Sequence, residues 1–220
     1  MQNFLMDARE FFPVLLQGVK FTLLVTAGAL ALSTLLGLVW ALMRVSGIAW
    51  LSAAAATIVN VIRGIPILVQ LFYIYFVLPE FGISFSALQA GIVGLGIAYS
   101  AYQAENFRAG IEAIDHGQTE AALSIGMSWF QAMRRVILPQ AVRVILPPYG
   151  NIMVMLLKDS SQASAITVAE LTMQGQLLAS STFKNMNVYT LVAMFYLSLS
   201  LPLMLIVGRL EKLFGKSKGH

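Results

Sequence analysis

Residues 117 to 143 read GQTEAALSIGMSWFQAMRRVILPQAVR. The chain around them is mostly apolar, but this stretch holds no run near the ~20 residues that cross a bilayer. It carries helix punctuation instead. Gly117 can end the helix before it in a left-handed turn. Thr119 can cap a new helix and so put Glu120 in its positive first turn. Ala121 and Ala122 keep one side of that helix small, which lets another protein surface approach. Gly126 supplies the next C-cap, and Ser128 with Gln131 forms a capping-box pair that starts a second helix at Trp129. Pro139 ends that helix or opens the next. The expected product is a short helix, a tight turn and a second short helix. It either lies on the membrane surface or docks onto another protein.

Composition sets the surroundings of this loop. The chain is 58% hydrophobic and 11% charged. Soluble domains carry roughly 25% charged residues, so this is an integral membrane protein. Its 220 residues leave room for about five spans beside the polar loop. The expected fold is all-α, a single transmembrane domain over 1–220 with a cytoplasmic loop at 111–140 inside it. Cysteine is absent, which excludes disulfides and thiolate metal sites. The two histidines, His116 and His220, are far apart in sequence, so no metal centre is expected. A net charge of +4 fits membrane topology and gives no reason to invoke nucleic acid. The start, MQNFLMDARE, does not read as a cleaved signal peptide.

Residues 1 to 12 resemble a short interfacial helix with aromatic anchors and no specific partner. The first span runs from about Pro13 to Met43, with Gly28 and Gly37 available for close helix contact. In the next segment Gly64 and Pro66 predict a broken helix that resumes through Leu71 and stops at Pro79. Arg63 beside the break lies inside the apolar slab or snorkels to its edge. The third span covers about Ser86 to Arg108, with Gly91, Gly94 and Gly96 thinning one flank. Its second half is polar. Tyr99, Tyr102 and Asn106 share a face by spacing, Gln103 is offset, and Glu105 needs a cation or water, with Arg108 and Arg63 as candidate cations. The fourth span, about Ala141 to Lys158, contains Pro147 and Pro148 and should kink. It ends in Lys158, Asp159, Ser160, Ser161 and Gln162. Those residues offer the mix of cation, anion and hydroxyls that an amino acid zwitterion requires. Residues 163 to 185 suit a partly re-entrant or surface segment, and a last span follows from about Val188 to Val207.

Basic residues orient the chain. With five spans and the N-terminus outside, the cytoplasm receives Arg44, Arg108, Arg134, Arg135, Arg143, Arg209, Lys212, Lys216 and Lys218. The outer loops keep few, such as Lys184.

Glu120-Ala121-Ala122, Gly126 and Leu138-Pro139 resemble the EAA loop of permease subunits of bacterial ABC importers. That pattern is EAA, three residues, Gly, nine residues, Ile, one residue, Leu-Pro; Val136 here replaces the Ile. The stretch RGIPILVQLFYIYFVLP and the string KDSS are similar to the polar amino acid branch of the same family, which serves histidine, arginine, glutamine and glutamate. The resemblance implies a type I ABC importer permease fold in the bacterial cytoplasmic membrane. It implies three kinds of protein partner: a second permease subunit, ATP-binding cassette subunits gripping the EAA loop, and an extracytoplasmic substrate-binding protein. The chain lacks the glycine-lysine signature of a nucleotide-binding loop, so ATP and magnesium belong to the partner ATPase and the chain is not itself an enzyme. Along the pathway the expected residues are Arg63, Gln70, Tyr102, Glu105, Lys158, Asp159, Ser160, Ser161 and Gln162. Broken helices and intramembrane charge also suit a secondary transporter or channel, but no internal repeat supports that. An integral membrane enzyme would need a histidine cluster, paired carboxylates or a serine elbow, and none is present.

Overall fold

A computed structural model describes residues 2–215. The basic tail residues Lys216 and Lys218, and His220, lie outside them. The described residues are helical throughout: α1 (Gln2–Arg44), α2 (Ala49–Gly64), α3 (Ile67–Phe72), α4 (Ala87–Glu112), α5 (His116–Ser124), α6 (Trp129–Ala132), α7 (Leu138–Asp159), α8 (Leu171–Thr182) and α9 (Asn185–Gly215). Residues 4–44, 129–166 and 185–213 are each long and apolar enough to cross a membrane, and α2 with the stretch from Ile67 to Phe81 forms a bent pair, apolar enough to be a broken span or a re-entrant loop. The fifth expected span, α4, falls short on apolarity for a physical reason. More than half of its 26 residues are buried by neighbouring helices, so its surface need not match lipid.

The helices around α4 are drawn in by small residues. Lipid tails are as apolar as leucine, so close packing, not water exclusion, must hold membrane helices together. A Cβ on Gly37 of α1 would stand 2.6 Å from the Cβ of Gln103 on α4, and one on Gly28 would stand 3.0 Å from Ile92. Gly91, Gly94 and Gly96 of α4 do not thin a single flank as expected. Gly94 admits Leu71 of α3, whereas Gly96 admits Leu32 of α1. Two residues along a helix turn the side by about 200° at 3.6 residues per turn, so these two contacts serve opposite sides.

Besides a small cluster of Val59, Ala101 and Ala104, three larger apolar clusters run along the molecule. One joins Phe11, Leu15, Leu171 and Val188. A central one joins Val25, Leu71, Leu95, Tyr99, Leu156 and Ile166. The third joins Phe107, Ile111, Met133, Ile137 and Ile145 beneath the polar loop.

Several expectations need correction. The N-terminal segment is not a separate interfacial piece, because α1 runs unbroken through Pro13. Nor is it without a partner. Asp7 is buried and accepts hydrogen bonds from Lys184 Nζ at 2.6 Å and Asn187 Nδ2 at 2.7 Å. That bond holds the Lys184 ammonium above the ordinary lysine range. Residues 163 to 185, expected as a partly re-entrant or surface segment, do not lie on the surface alone but pack into the bundle. The turn Ser160–Ile166 leads into α8, which packs against α1 and α9. Glu170 caps α8 and is fully buried. Its carboxylate accepts from the Thr172 and Met173 amides and from Tyr196 Oη at 2.7 Å.

The expected break at Pro66 is present. The axes of α2 and of the stretch from Ile67 to Phe81 meet at 98°. Gln70 holds the break by donating from Nε2 to the carbonyls of Ile62 and Ile65, both at 2.9 Å. Two π-turns, Tyr73–Val77 and Met133–Ile137, each end directly before a Leu-Pro pair, Leu78-Pro79 and Leu138-Pro139. A proline ring clashes with the carbonyl four residues back. A wider turn at that place lets the helical path continue past the ring.

Candidate functional site

The polar loop is built as follows. Its first helix is capped by Asp115, whose Oδ1 accepts from the Gly117 amide at 2.6 Å. The expected roles of Gly117 as a terminator and Thr119 as a cap are therefore wrong. Asp115 wins because its short carboxylate reaches the amide two residues on, and α5 starts at His116. Glu120 consequently sits beyond the first turn. It is exposed, as are Ala121 and Gly126, while Ala122 is turned inward and buried. Gly126 has φ +82°, the left-handed geometry that ends the helix. Ser128 and Gln131 form the expected capping box.

After that box no second short helix stands alone. Helical structure runs from Trp129 through the π-turn and α7 into the turn ending at Ile166. Pro139 lies within this path, as does Leu138. The loop is thus welded to the membrane span that follows it. On its other side, a cavity of about 270 Å³ lies between α5, α6 and the end of α4, lined by Ile111, Glu112, His116, Trp129 and Met133.

Where α1 ends, Glu105 of α4 bonds both Arg44 and Arg108, with Arg108 Nη2 at 2.7 Å. Arg108 also reaches Glu112. The sequence reading named Arg108 and Arg63 as candidates. Arg63 forms no such pair among the described residues, and Arg44 was missed because 61 residues separate it from Glu105.

Arg63 instead begins a polar row across the bundle. Its guanidinium carbon stands 5.8 Å from the centre of the Tyr102 ring, a cation over an aromatic face. The rings of Tyr102 and Tyr99 are 5.7 Å apart. Tyr99 Oη donates to Asp159 Oδ2 at 2.7 Å. Helices α2, α4 and α7 therefore contribute a cation, two aromatic rings and a carboxylate in sequence. The same face continues to Asn106, which donates to the Ile145 carbonyl at 3.5 Å. Gln103 points elsewhere and is fully buried; its amide atoms and Trp40 Nε1 have no partner among the described residues.

The string after Asp159 is split by direction. Lys158 is exposed and forms no ion pair with Asp159. Ser160 is buried and donates back to the Leu157 carbonyl at 2.7 Å. Ser161 and Gln162 are half-buried in the turn that follows. Among the described residues no group of His, Asp and Glu is placed to hold a metal ion.

Comparison with known proteins fits this arrangement. Residues 33–216 match the family described as binding-protein-dependent transport system inner membrane component. The chain is 42% identical over 206 residues to the probable glutamine ABC transporter permease protein GlnM of Bacillus subtilis, covering 94% of this chain and 95% of that one. It is 39% identical over 206 residues to the glutamine transport system permease protein GlnP of Escherichia coli, covering 91% and 92%. A crystal structure of an amino acid ABC transporter with histidines superposes with a TM-score of 0.87 at 40% identity, covering 94% of this chain and 97% of that one. With its membrane helices and its loop built into a continuous span, this chain belongs to the family of inner membrane permease components of binding-protein-dependent ABC transporters.

Proposed function

We propose that this chain is a permease subunit of an ATP-driven importer of polar amino acids. It sits in the bacterial cytoplasmic membrane with its N-terminus outside and its C-terminus in the cytoplasm. The observation that carries the reading is the exposed, capped helix α5, joined by the turn at Gly126 to an unbroken helical path that runs from Trp129 to Asp159. A cytoplasmic ATPase subunit grips Glu120, Ala121 and Gly126, and it holds the ATP and magnesium. A second permease subunit, identical or homologous, completes the pathway, and an extracytoplasmic binding protein delivers the amino acid.

The geometry supports a lever. Motion of α5 and α6 pulls on α7 directly and on α4 through the third apolar cluster. Those two helices carry Asp159 and Tyr99, so the same motion reshapes the polar row. A substrate ammonium would face Asp159 and its carboxylate Arg63, with Tyr102 between them. Lys158, Ser161 and Gln162 would line the path. Gln70 and Glu105 are already bonded and would act at the hinge and at the gate, and Ser160 would shape the turn. The resident bonds of this row are the ones a bound zwitterion must replace, which suits weak, transient contact.

The test is Gly126→Val in the reconstituted complex. A β-branched residue is strained at φ +82°. Assembly should persist while uptake fails and ATP hydrolysis continues without it. Normal uptake stimulated by the binding protein would overturn the coupling role.

A further inference from the structure

A second groove, of about 380 Å³, opens where the end of α1 and the start of α2 face α6 and α7. Leu42, Met43, Leu51, Trp129 and Leu138 line it, and Arg134 is its one charged member. Arg134 is exposed and has no carboxylate partner among the described residues. Trp50, 71% exposed on α2 near Leu51, and Trp129, 44% exposed, stand at the same end of the molecule. Exposed tryptophan favours the boundary between headgroups and acyl chains. Such a pair suits a groove at headgroup level, and this one is apolar inside and positive at one point.

We propose that this groove holds an acyl chain of an anionic phospholipid, with Arg134 on the lipid phosphate. Charge complementarity selects this occupant. A neutral lipid fills the apolar slot but leaves the guanidinium facing a headgroup of no net charge. A protein segment would have to bring its own carboxylate to the edge of an apolar slot at membrane depth. Water would leave the apolar walls wet. The proposal is independent of which amino acid is carried and of the direction of insertion, because the groove lies at a membrane boundary either way. One arginine near a lipid surface gives a preference for anionic over neutral lipid of about fivefold.

The test uses the purified permease complex in bilayers containing a trace of phosphatidylglycerol with a diazirine in its acyl chain. Parallel samples carry the same probe on phosphatidylcholine. After illumination, labelled peptides are mapped by mass spectrometry. We expect label on residues 42–51 and 129–138, about fivefold more from phosphatidylglycerol. Arg134→Gln should abolish that excess and leave the phosphatidylcholine signal unchanged. Arg134→Lys, which keeps the charge, should retain the excess, and this separates loss of the site from loss of folding. Ser46→Phe, which fills the groove, should remove label from both probes. Equal labelling by the two lipids, label confined to other regions, or the groove residues protected by a neighbouring subunit would each overturn the proposal.

Discussion

Replacing Gly37 with alanine tests the seam on which the bundle is built. The added Cβ would lie 2.6 Å from the Cβ of Gln103, 3.0 Å from the Ser100 carbonyl oxygen and 3.1 Å from the Ala104 nitrogen. Two of these are backbone atoms of α4 and cannot rotate away. Comfortable carbon contacts need about 3.5–4.0 Å, so α1 and α4 must part by about 1 Å where they are closest. Overpacking of this kind costs about 1–3 kcal/mol. Alanine gains up to about 1 kcal/mol over glycine in a helix interior, which leaves a net loss of up to about 2 kcal/mol, or about 1–3 kcal/mol relative to an alanine that meets nothing. Gly64→Ala is the matched control, since no atom stands within 4 Å of its Cβ. That variant should be neutral or slightly more stable. The assay is equilibrium unfolding of the purified permease in mixed micelles, read by tryptophan fluorescence. If Gly37→Ala is as stable as Gly64→Ala, the close approach of α1 to α4 is not what holds them together.

Three further outcomes follow from side-chain hydrogen bonds. Gln70→Leu orphans the Ile62 and Ile65 carbonyls at the helix break and should cost about 1–3 kcal/mol in the same assay; no change would mean that the break holds without this clamp. Tyr99→Phe removes the donor to Asp159 and should cost about 1.5–3 kcal/mol, as for bonds to a charged group, with altered uptake kinetics; unaltered uptake and stability would remove Tyr99 from the row. Glu170→Gln replaces one accepting oxygen by an amide NH2 donor where two amides and Tyr196 all donate. It should destabilise the packing of α8 by about 1–3 kcal/mol, read as faster proteolysis of residues 167–184; unchanged cleavage would refute that.

Local chemistry was legible wherever a signal lies within a few residues. The capping box of Ser128 and Gln131, the left-handed Gly126 and the break at Pro66 all came from neighbours along the chain. The errors have physical causes as well. Thr119 and Asp115 both can cap, and only the path out of α4 selects Asp115. Pro13 read as a helix boundary, yet α1 runs through it; Pro139 does open α7, one of the two expected readings, but with no break before it. At Pro139 a π-turn accommodates the ring, and a sequence carries no clear sign of where such a turn will form. Glycine spacing on α4 suggested one thin flank, but the neighbours of each glycine decide its use. The polar row was half visible. Tyr99 and Tyr102 were placed on one face and Asp159 was a candidate, yet nothing in the sequence tied Tyr99 to Asp159, or Arg63 to Tyr102.

The amino acid sequence by itself determined the solvent, the helical class and the family. Apolar composition requires a bilayer, a bilayer requires backbones that bond internally, and the spacing of the EAA residues is specific over 20 positions. Only the tertiary structure decided which charges meet. Arg44 with Glu105, Asp7 with Lys184 and Tyr99 with Asp159 join residues 60 or more apart in the chain. Such pairings depend on how closely the helices approach and how they are turned about their axes. Packing against neighbours sets both, and no local stretch encodes them.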